Sequence, residues 1–286
     1  VQSQLVFKEE HEIERLRVQN RLLSCYEGPV LARILSEGRQ LAVLDIGCND
    51  GMKTVKRFSH DSVSHVIGIE YNEILATKAK EMYGDERFSF YRLDVEAEDF
   101  SDRLRDIMRE KQIEGFDVIY LSFVLMHLTD ASKLLVALRP FLRTGGKLLI
   151  IEAHDAASTL TNDPSGLLGS FLEILKQDKY SGNREVGASI CGTLAECGYG
   201  EICVWHDCIS AGEGETEKKQ AILTTFFSYL SEDVALLRSI EPENPTYRSW
   251  AAWLDRNYDE LRQRIMEERS VISMGMNILT CTKGKV

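Results

Sequence analysis

The order of apolar and charged runs predicts an open α/β fold, a mostly parallel sheet with helices packed against it. Three observations carry this. Short apolar runs recur at 41–46, 63–69, 88–93, 116–121 and 147–152, each the length of a buried strand. Charged segments long enough for crossover helices separate them, as parallel pairing requires. The first three runs also end in polar turns, at Asp45 to Gly51, at Glu70 and at Asp94. Parallel strands bring such ends together at one sheet edge, where open α/β folds bind ligands.

Composition agrees and narrows the partners. The 286 residues are 44% hydrophobic and 28% charged, enough for one large core. The net charge of -11 repels phosphate backbones, so nucleic acid is not expected as a partner. Seven cysteines with no Cys-x-x-Cys pair fit a reducing compartment, and a cytoplasmic location is expected. No run reads as a membrane span or a secretory signal, so no membrane partner is expected. The chain opens on Val1 rather than Met, which reads as a trimmed or processed start.

In chain order, 2–26 reads as a helix with a sparse apolar stripe of Leu5, Ile13, Leu16, Leu23 and Tyr26. Gly28-Pro29 is expected to break it, with a second helix over 30–37 ending at Gly38. The stretch LAVLDIGCNDG, 41–51, is a strand running into a glycine turn, and Met52 to Arg57 begin a helix. Such a turn lets backbone approach a ligand closely. The second strand closes on Glu70-Tyr71-Asn72 and leads to a helix over 73–83. The third closes on Asp94-Val95 before a charged amphipathic helix over 99–112. The fourth is followed by Ser122-Phe123 and a segment carrying His127. A helix over 131–142 and the Gly145-Gly146 turn precede the fifth strand, which exits into Ala153-His154-Asp155.

Beyond it, helices are expected from Asp163-Pro164 to about Lys176 and over 187–197, with a sixth strand over 199–208. A single helix is expected over 216–240. Asn244-Pro245 opens another, with Tyr247, Trp250, Leu254, Tyr258, Leu261 and Ile265 at three-four spacing. The last strand is expected over 271–282.

The run DIGCNDG resembles the first motif of class I S-adenosylmethionine-dependent methyltransferases, acidic-x-Gly-x-Gly-x-Gly. Gly47 and Gly51 match. Asn49 replaces the middle glycine, and asparagine is the residue after glycine that best tolerates positive φ. The resemblance covers 41–152 by motif and the flanks by topology. A nicotinamide dinucleotide site would instead need Gly-x-Gly-x-x-Gly, and Asn49 and Met52 stand where its second and third glycines belong.

The resemblance implies a Rossmann-like α/β fold with a mostly parallel seven-stranded sheet, helices on both faces and a helical cap. It implies S-adenosylmethionine as cofactor, held around Asp45, Gly47, Cys48, Asn49, Gly51, Glu70, Tyr71, Asp94, Val95, Ser122 and Phe123. In that family the acid after the second strand takes the ribose hydroxyls, which falls to Glu70. The acid after the third strand receives the adenine amino group, which falls to Asp94, and the Val95 N–H bonds a ring nitrogen. Ser122 and Phe123 would pass along the cofactor, and Tyr26 of the N-terminal helix would face the site. One domain over 1–286 is expected: cap helices in 1–37, a cofactor-binding core in 38–155 and a substrate-side half in 156–286, with a helical insertion at 212–270.

The expected reaction is transfer of a methyl group to an O, N or C nucleophile of a small-molecule acceptor. The alternatives are a protein or RNA acceptor, or a non-catalytic S-adenosylmethionine-binding module. No Asn/Asp-Pro-Pro-aromatic motif follows the fourth strand, which argues against amide or adenine-N6 methylation, and no Pro-Cys pair offers the cytosine-C5 nucleophile. No Cys-x3-Cys-x2-Cys is present for radical chemistry. Cys191, Cys197, Cys203 and Cys208 with His206 do not match zinc spacing, so no metal is expected. If the acceptor must lose a proton, His154 is the first candidate base and His127 the second. Asp155 could orient the acceptor and Trp250 line its pocket.

Overall fold

A computed structural model of the protein describes residues 10–36, 40–178 and 181–284, with side chains from 14 onward. In chain order the elements are helix α1 (Glu10–Ser36), β1 (Leu41–Ile46), α2 (Met52–Phe58), β2 (Val63–Glu70), α3 (Glu73–Tyr83), β3 (Phe88–Arg92), α4 (Phe100–Glu110) and β4 (Phe116–Ser122). A 3-10 turn (Leu125–His127) precedes α5 (Ala131–Leu138) and β5 (Leu142–Ala153). Then come β6 (Thr159–Leu160), α6 (Leu167–Gln177), α7 (Val186–Glu196), β7 (Tyr199–Ala211), α8 (Thr216–Phe226), α9 (Leu230–Ile240), α10 (Pro245–Met266) and β8 (Ile272–Lys283).

The chain forms two compact units. One comprises Val1–Tyr26, Ala153–Glu185 and Asp207–Met276; the other comprises Glu27–Glu152, Val186–His206 and Asn277–Val286. The second is the sheet unit. Strands β1–β2, β2–β3, β1–β4 and β4–β5 all pair in parallel. The whole sheet runs β3-β2-β1-β4-β5-β8-β6, with β7 also on β8. Strand order therefore reverses between β1 and β4. Register aligns Ile46 with Ile69 and Leu121, and Ser122 with Ile151, so the strands end level. Every residue of β1 is buried, Asp45 included, as the near-continuous apolar run of a central parallel strand requires. Helix α4 shows how a charged segment still packs: Phe100, Leu104 and Met108, four apart, are its buried stripe.

The sheet has eight strands among the described residues rather than seven. The addition is β6, two residues long, paired antiparallel to the start of β8 through Thr159 and Ser273. A two-residue strand has no periodicity to read. The N-terminal segment also differs from expectation. Residues 10–36 form one helix that runs through Pro29. Leu22, Leu23, Leu31 and Leu35 are buried on either side of that proline. Burying four leucines outweighs the roughly 3 kcal/mol that an interior proline costs a helix. Leu5 and Gly38 lie outside the described residues, as does the side chain of Ile13.

The other unit is mostly helical. Phe171 of α6 stacks on Phe227 at 4.7 Å and on Tyr258 of α10 at 6.1 Å between ring centroids. The Tyr258 hydroxyl donates to the Phe227 carbonyl at 3.0 Å. This explains why the expected single helix over 216–240 is two, α8 and α9. The backbone turns at Phe227 so that its ring joins the stack and its carbonyl bonds a side chain. Asn244 caps α10 by accepting the Thr246 N–H at 3.0 Å, with Pro245 in the first helical turn, as read from sequence.

Candidate cofactor site

Within the sheet unit, the turn after β1 carries three residues at positive φ: Gly47 at 74°, Asn49 at 52° and Gly51 at 79°. Gly47 and Cys48 donate their N–H groups to the Ile69 carbonyl, which fastens the turn to the end of β2. Space is as restrictive as conformation. A Cβ on Gly47 would lie 2.8 Å from a Val124 methyl, and one on Gly51 would lie 2.9 Å from Ala79. Asn49 tolerates its position because its side chain folds back, Oδ1 accepting the Asp50 N–H at 2.7 Å. The departure from glycine is thus absorbed locally.

Asp45 braces the turn from inside. It is buried, and Thr54 Oγ1 donates to its Oδ2 at 2.5 Å. Burial pushes its carboxyl up to about 7, against the Thr54 hydrogen bond and the nearby Arg57 charge. The Cys48 side chain is also buried, and burial drives its thiol well above the usual range.

Glu70, half-buried at the end of β2, accepts the Asn49 N–H at 3.0 Å and the Asn72 N–H at 2.9 Å, one on each oxygen. Burial raises its carboxyl, and the N–H groups of Asn72, Asn49 and Tyr71 oppose that. A carboxylate has about four acceptor sites, so lone pairs remain for a ligand. Tyr71 beside it is half-buried. Asp94, after β3, is half-buried; its Oδ1 accepts the Glu96 N–H at 2.9 Å. Among the described residues its Oδ2 and the half-buried Val95 N–H have no hydrogen-bond partner.

At the end of β4, Phe123 adopts φ 54°, a left-handed conformation that costs roughly 1–2 kcal/mol in a residue with a Cβ. The fold holds it there. The Phe123 N–H donates to the Ile151 carbonyl at 2.8 Å. The N–H groups of Val124 and Leu125 both donate to Glu152 Oε1, at 3.0 and 2.7 Å, and Glu152 is fully buried. Strain of this kind concentrates at functional sites.

Sequence reading missed Glu152, Lys53 and the group around Tyr120. The Tyr120 hydroxyl donates to Glu27 Oε2 at 2.6 Å, and Arg57 Nε donates to Glu27 Oε1 at 2.5 Å, with a second guanidinium nitrogen on the same oxygen. Arg57 also lies over the Tyr120 ring at 5.0 Å. Lys53 Nζ donates to Ser122 Oγ at 3.0 Å. The one available signal was the four-residue spacing of Lys53 and Arg57 in α2.

The remaining candidates are placed as follows. His127 is exposed and closes the 3-10 turn ahead of α5. The others belong to the helical unit. His154 follows β5, half-buried, its N–H bonded to the Gly275 carbonyl at 2.9 Å. Asp155 is held by both arms of Arg184, at 2.5 and 2.6 Å, so its charge is already matched. Tyr26 lies under the Lys218 ammonium at 5.8 Å. Trp250 is buried, 8% exposed, with its ring 5.5 Å from Tyr247.

The chain matches the profile of a family described as "Methyltransferase domain" over residues 37–236, well over half its length. It belongs to that family. It is accordingly an S-adenosylmethionine-dependent methyltransferase, as the strand-end residues led one to expect. A search of curated proteins finds no match. Among solved structures this methyltransferase is similar to YcgJ from Bacillus subtilis, with TM-score 0.55 and 15% identity, covering 90% of this chain and 98% of that one. It is similar to Haemonchus contortus phosphoethanolamine N-methyltransferase 2, solved with phosphomonomethylethanolamine and S-adenosylhomocysteine, with TM-score 0.50 and 17% identity, covering 90% of this chain and 53% of that one. A Haloferax volcanii putative methyltransferase, in complex with the Trm112 activator, matches with TM-score 0.52 and 11% identity over 97% and 99% of the two chains. At such identities the likeness is one of fold.

The donor set of the methyltransferase fits its cofactor. A nucleoside needs acceptors for hydroxyl and amino hydrogens, and Glu70 and Asp94 offer carboxylate oxygens with unused lone pairs. Among the described residues no group of three or more His, Cys, Asp or Glu side chains is placed to hold a metal, and no helix is long and apolar enough to cross a membrane. The cysteines named above are free thiols, and the His206 ring pairs with Asn277 at 2.7 Å.

Proposed function

We propose that the protein transfers the methyl group to a small-molecule acceptor, in the cytoplasm, with the adenosine half of the cofactor on Glu70, Asp94 and the Val95 N–H. The observation that carries the cofactor assignment is the row of Asn49, Glu70, Asp94 and Ser122 at successive, level ends of parallel strands. The acceptor class rests on two supports. The net charge of -11 disfavours a phosphate backbone. The phosphoethanolamine methyltransferase that shares the fold was solved with a small acceptor.

The cofactor, when bound, supplies an electrophilic methyl. What the chain must supply is orientation, which can account for most of the acceleration. Gly47, Asn49 and Gly51 admit the cofactor to the backbone, and Phe123, held in its strained conformation through Glu152, shapes the end of β4. A base is needed only when the acceptor gives up a proton. His154 then takes that role ahead of His127, because it is half-buried and follows a strand end. Asp155, Tyr26 and Trp250 serve the acceptor, Asp155 as a carboxylate fixed by Arg184.

Two measurements test this reading. Calorimetry is expected to detect S-adenosylhomocysteine and not NAD; the reverse would end it. Methyl-labelled cofactor incubated with small-molecule, protein and RNA fractions of an extract is expected to label the first. Label in protein or RNA would favour a macromolecular acceptor, and absence of turnover beside firm cofactor binding would favour a recruiting module. With the acceptor in hand, His154→Gln is expected to lose roughly 10²–10⁴ in turnover with cofactor affinity kept.

A further inference from the structure

Lys53 has the wrong neighbours for a structural lysine. It is half-buried, in the first turn of α2 beside the glycine turn. Its ammonium reaches the end of β4, where its hydrogen-bond partner is the neutral Ser122 hydroxyl, and the Tyr120 ring centroid lies 5.9 Å away. Among the described residues no carboxylate lies within ion-pair distance of it. The acids nearby are engaged elsewhere. Glu27 holds Arg57 and Tyr120, Asp45 accepts from Thr54, Asp50 faces Lys78 at 3.5 Å, and Glu70 accepts two backbone N–H groups. A partly desolvated ammonium with one neutral partner and two unused donors favours an anion.

Position decides which anion. Lys53 Nζ sits at the carboxyl ends of β1 and β4, where strand order reverses. Open α/β sheets bind their ligands in that crevice. Glu70 and Asp94 lie on the β2–β3 side of the turn, and Lys53 reaches to the β4 side. S-adenosylmethionine has one anionic group, the α-carboxylate of its methionine half. We propose that Lys53, steadied by Ser122, binds that carboxylate, so that the protein selects the intact amino-acid tail of its cofactor. The proposal rests on the cofactor placement above. It assigns Lys53 a binding role and Ser122 a positioning role.

The test compares two ligands that share the adenosine and the sulfur: S-adenosylhomocysteine, which has the carboxylate, and 5′-methylthioadenosine, which lacks the amino-acid tail. Calorimetry is run on the wild type, K53M and K53Q, with melting curves for each. K53M and K53Q are expected to bind S-adenosylhomocysteine roughly 10- to 100-fold more weakly, the range for a hydrogen bond to a charged group. Their affinity for 5′-methylthioadenosine should stay within about twofold, which also counts the folded sites. S122A should show the same selective loss, smaller in size. Equal weakening of both ligands, or of neither, overturns the proposal. A wild type that binds neither ligand overturns the cofactor placement itself, and so separates the two failures.

Discussion

Asp45 illustrates a buried carboxyl set against its own charge. Its folded value, about 7, lies above the 3.8 of an unperturbed carboxyl, with burial as the main cause. The native state therefore binds more protons than the unfolded chain between those values. The associated stability is full below the unfolded value and is lost as pH rises through about 7. Thr54, Arg57, Glu27 and Glu70 are the polar groups that face it. Asp45→Asn stays neutral, so its stability relative to wild type should climb from pH 4 to pH 7 and then level off, by at most about 4 kcal/mol. Urea unfolding at a series of pH values checks this; a difference that is flat with pH would place the charge elsewhere. Glu70 has two duties at once. Glu70→Ala is expected to weaken S-adenosylhomocysteine binding by on the order of 1.5–3 kcal/mol. Because the Asn49 and Asn72 N–H groups lose their acceptor, the melting temperature should also fall. A fall in melting temperature with affinity per folded molecule intact would leave Glu70 a purely structural brace.

At the scale of elements, helix ends decide more than helix interiors. The α10 helix begins on the Asn244 side chain and ends on a lysine from another helix. Lys219 of α8 is buried, and its ammonium donates to the Glu267 carbonyl at 2.6 Å, the Glu268 carbonyl at 3.3 Å and Ser270 Oγ at 3.0 Å. Those carbonyls lie just past the last turn of α10, where helical partners run out. Lys219→Met keeps the apolar stem and removes all three bonds, so unfolding free energy should fall by about 1.5–3 kcal/mol. An unchanged urea midpoint would mean that water replaces the ammonium without loss. The split between α8 and α9 follows the same logic, since the Phe227 carbonyl found a tyrosine hydroxyl where an unbroken helix would have bonded it internally.

At the scale of the whole molecule, the proposed cofactor and acceptor roles fall on different units. The sheet unit carries the cofactor candidates, and the helical unit carries Tyr26, His154, Asp155 and Trp250. We read the helical unit as the part that selects the acceptor. Trp250→Phe keeps most of the buried volume, and it should raise the KM for the acceptor by roughly tenfold while cofactor affinity holds. Equal effects on both ligands, or none on the acceptor, would return Trp250 to a packing role against Tyr247.

Sequence alone determined the elements whose cause is local. Buried parallel strands are short, mostly apolar runs, so β1 to β5 and the row of residues at their ends were legible in the sequence. The Asn244-Pro245 start of α10 was legible for the same reason, because cap chemistry is carried by adjacent residues. Tertiary structure decided whatever depends on partners far along the chain. Pro29 stays helical because leucines on both sides of it are buried. Residues 216–240 break because Phe171 and Tyr258 claim Phe227. The Tyr120, Glu27 and Arg57 group joins three segments that no local pattern connects. Glu152 and Lys53 looked like a strand end and an ordinary helix residue. What sets them apart is the strained loop one of them fastens and the carboxylate the other lacks, and both are properties of neighbours that only the folded chain brings into range.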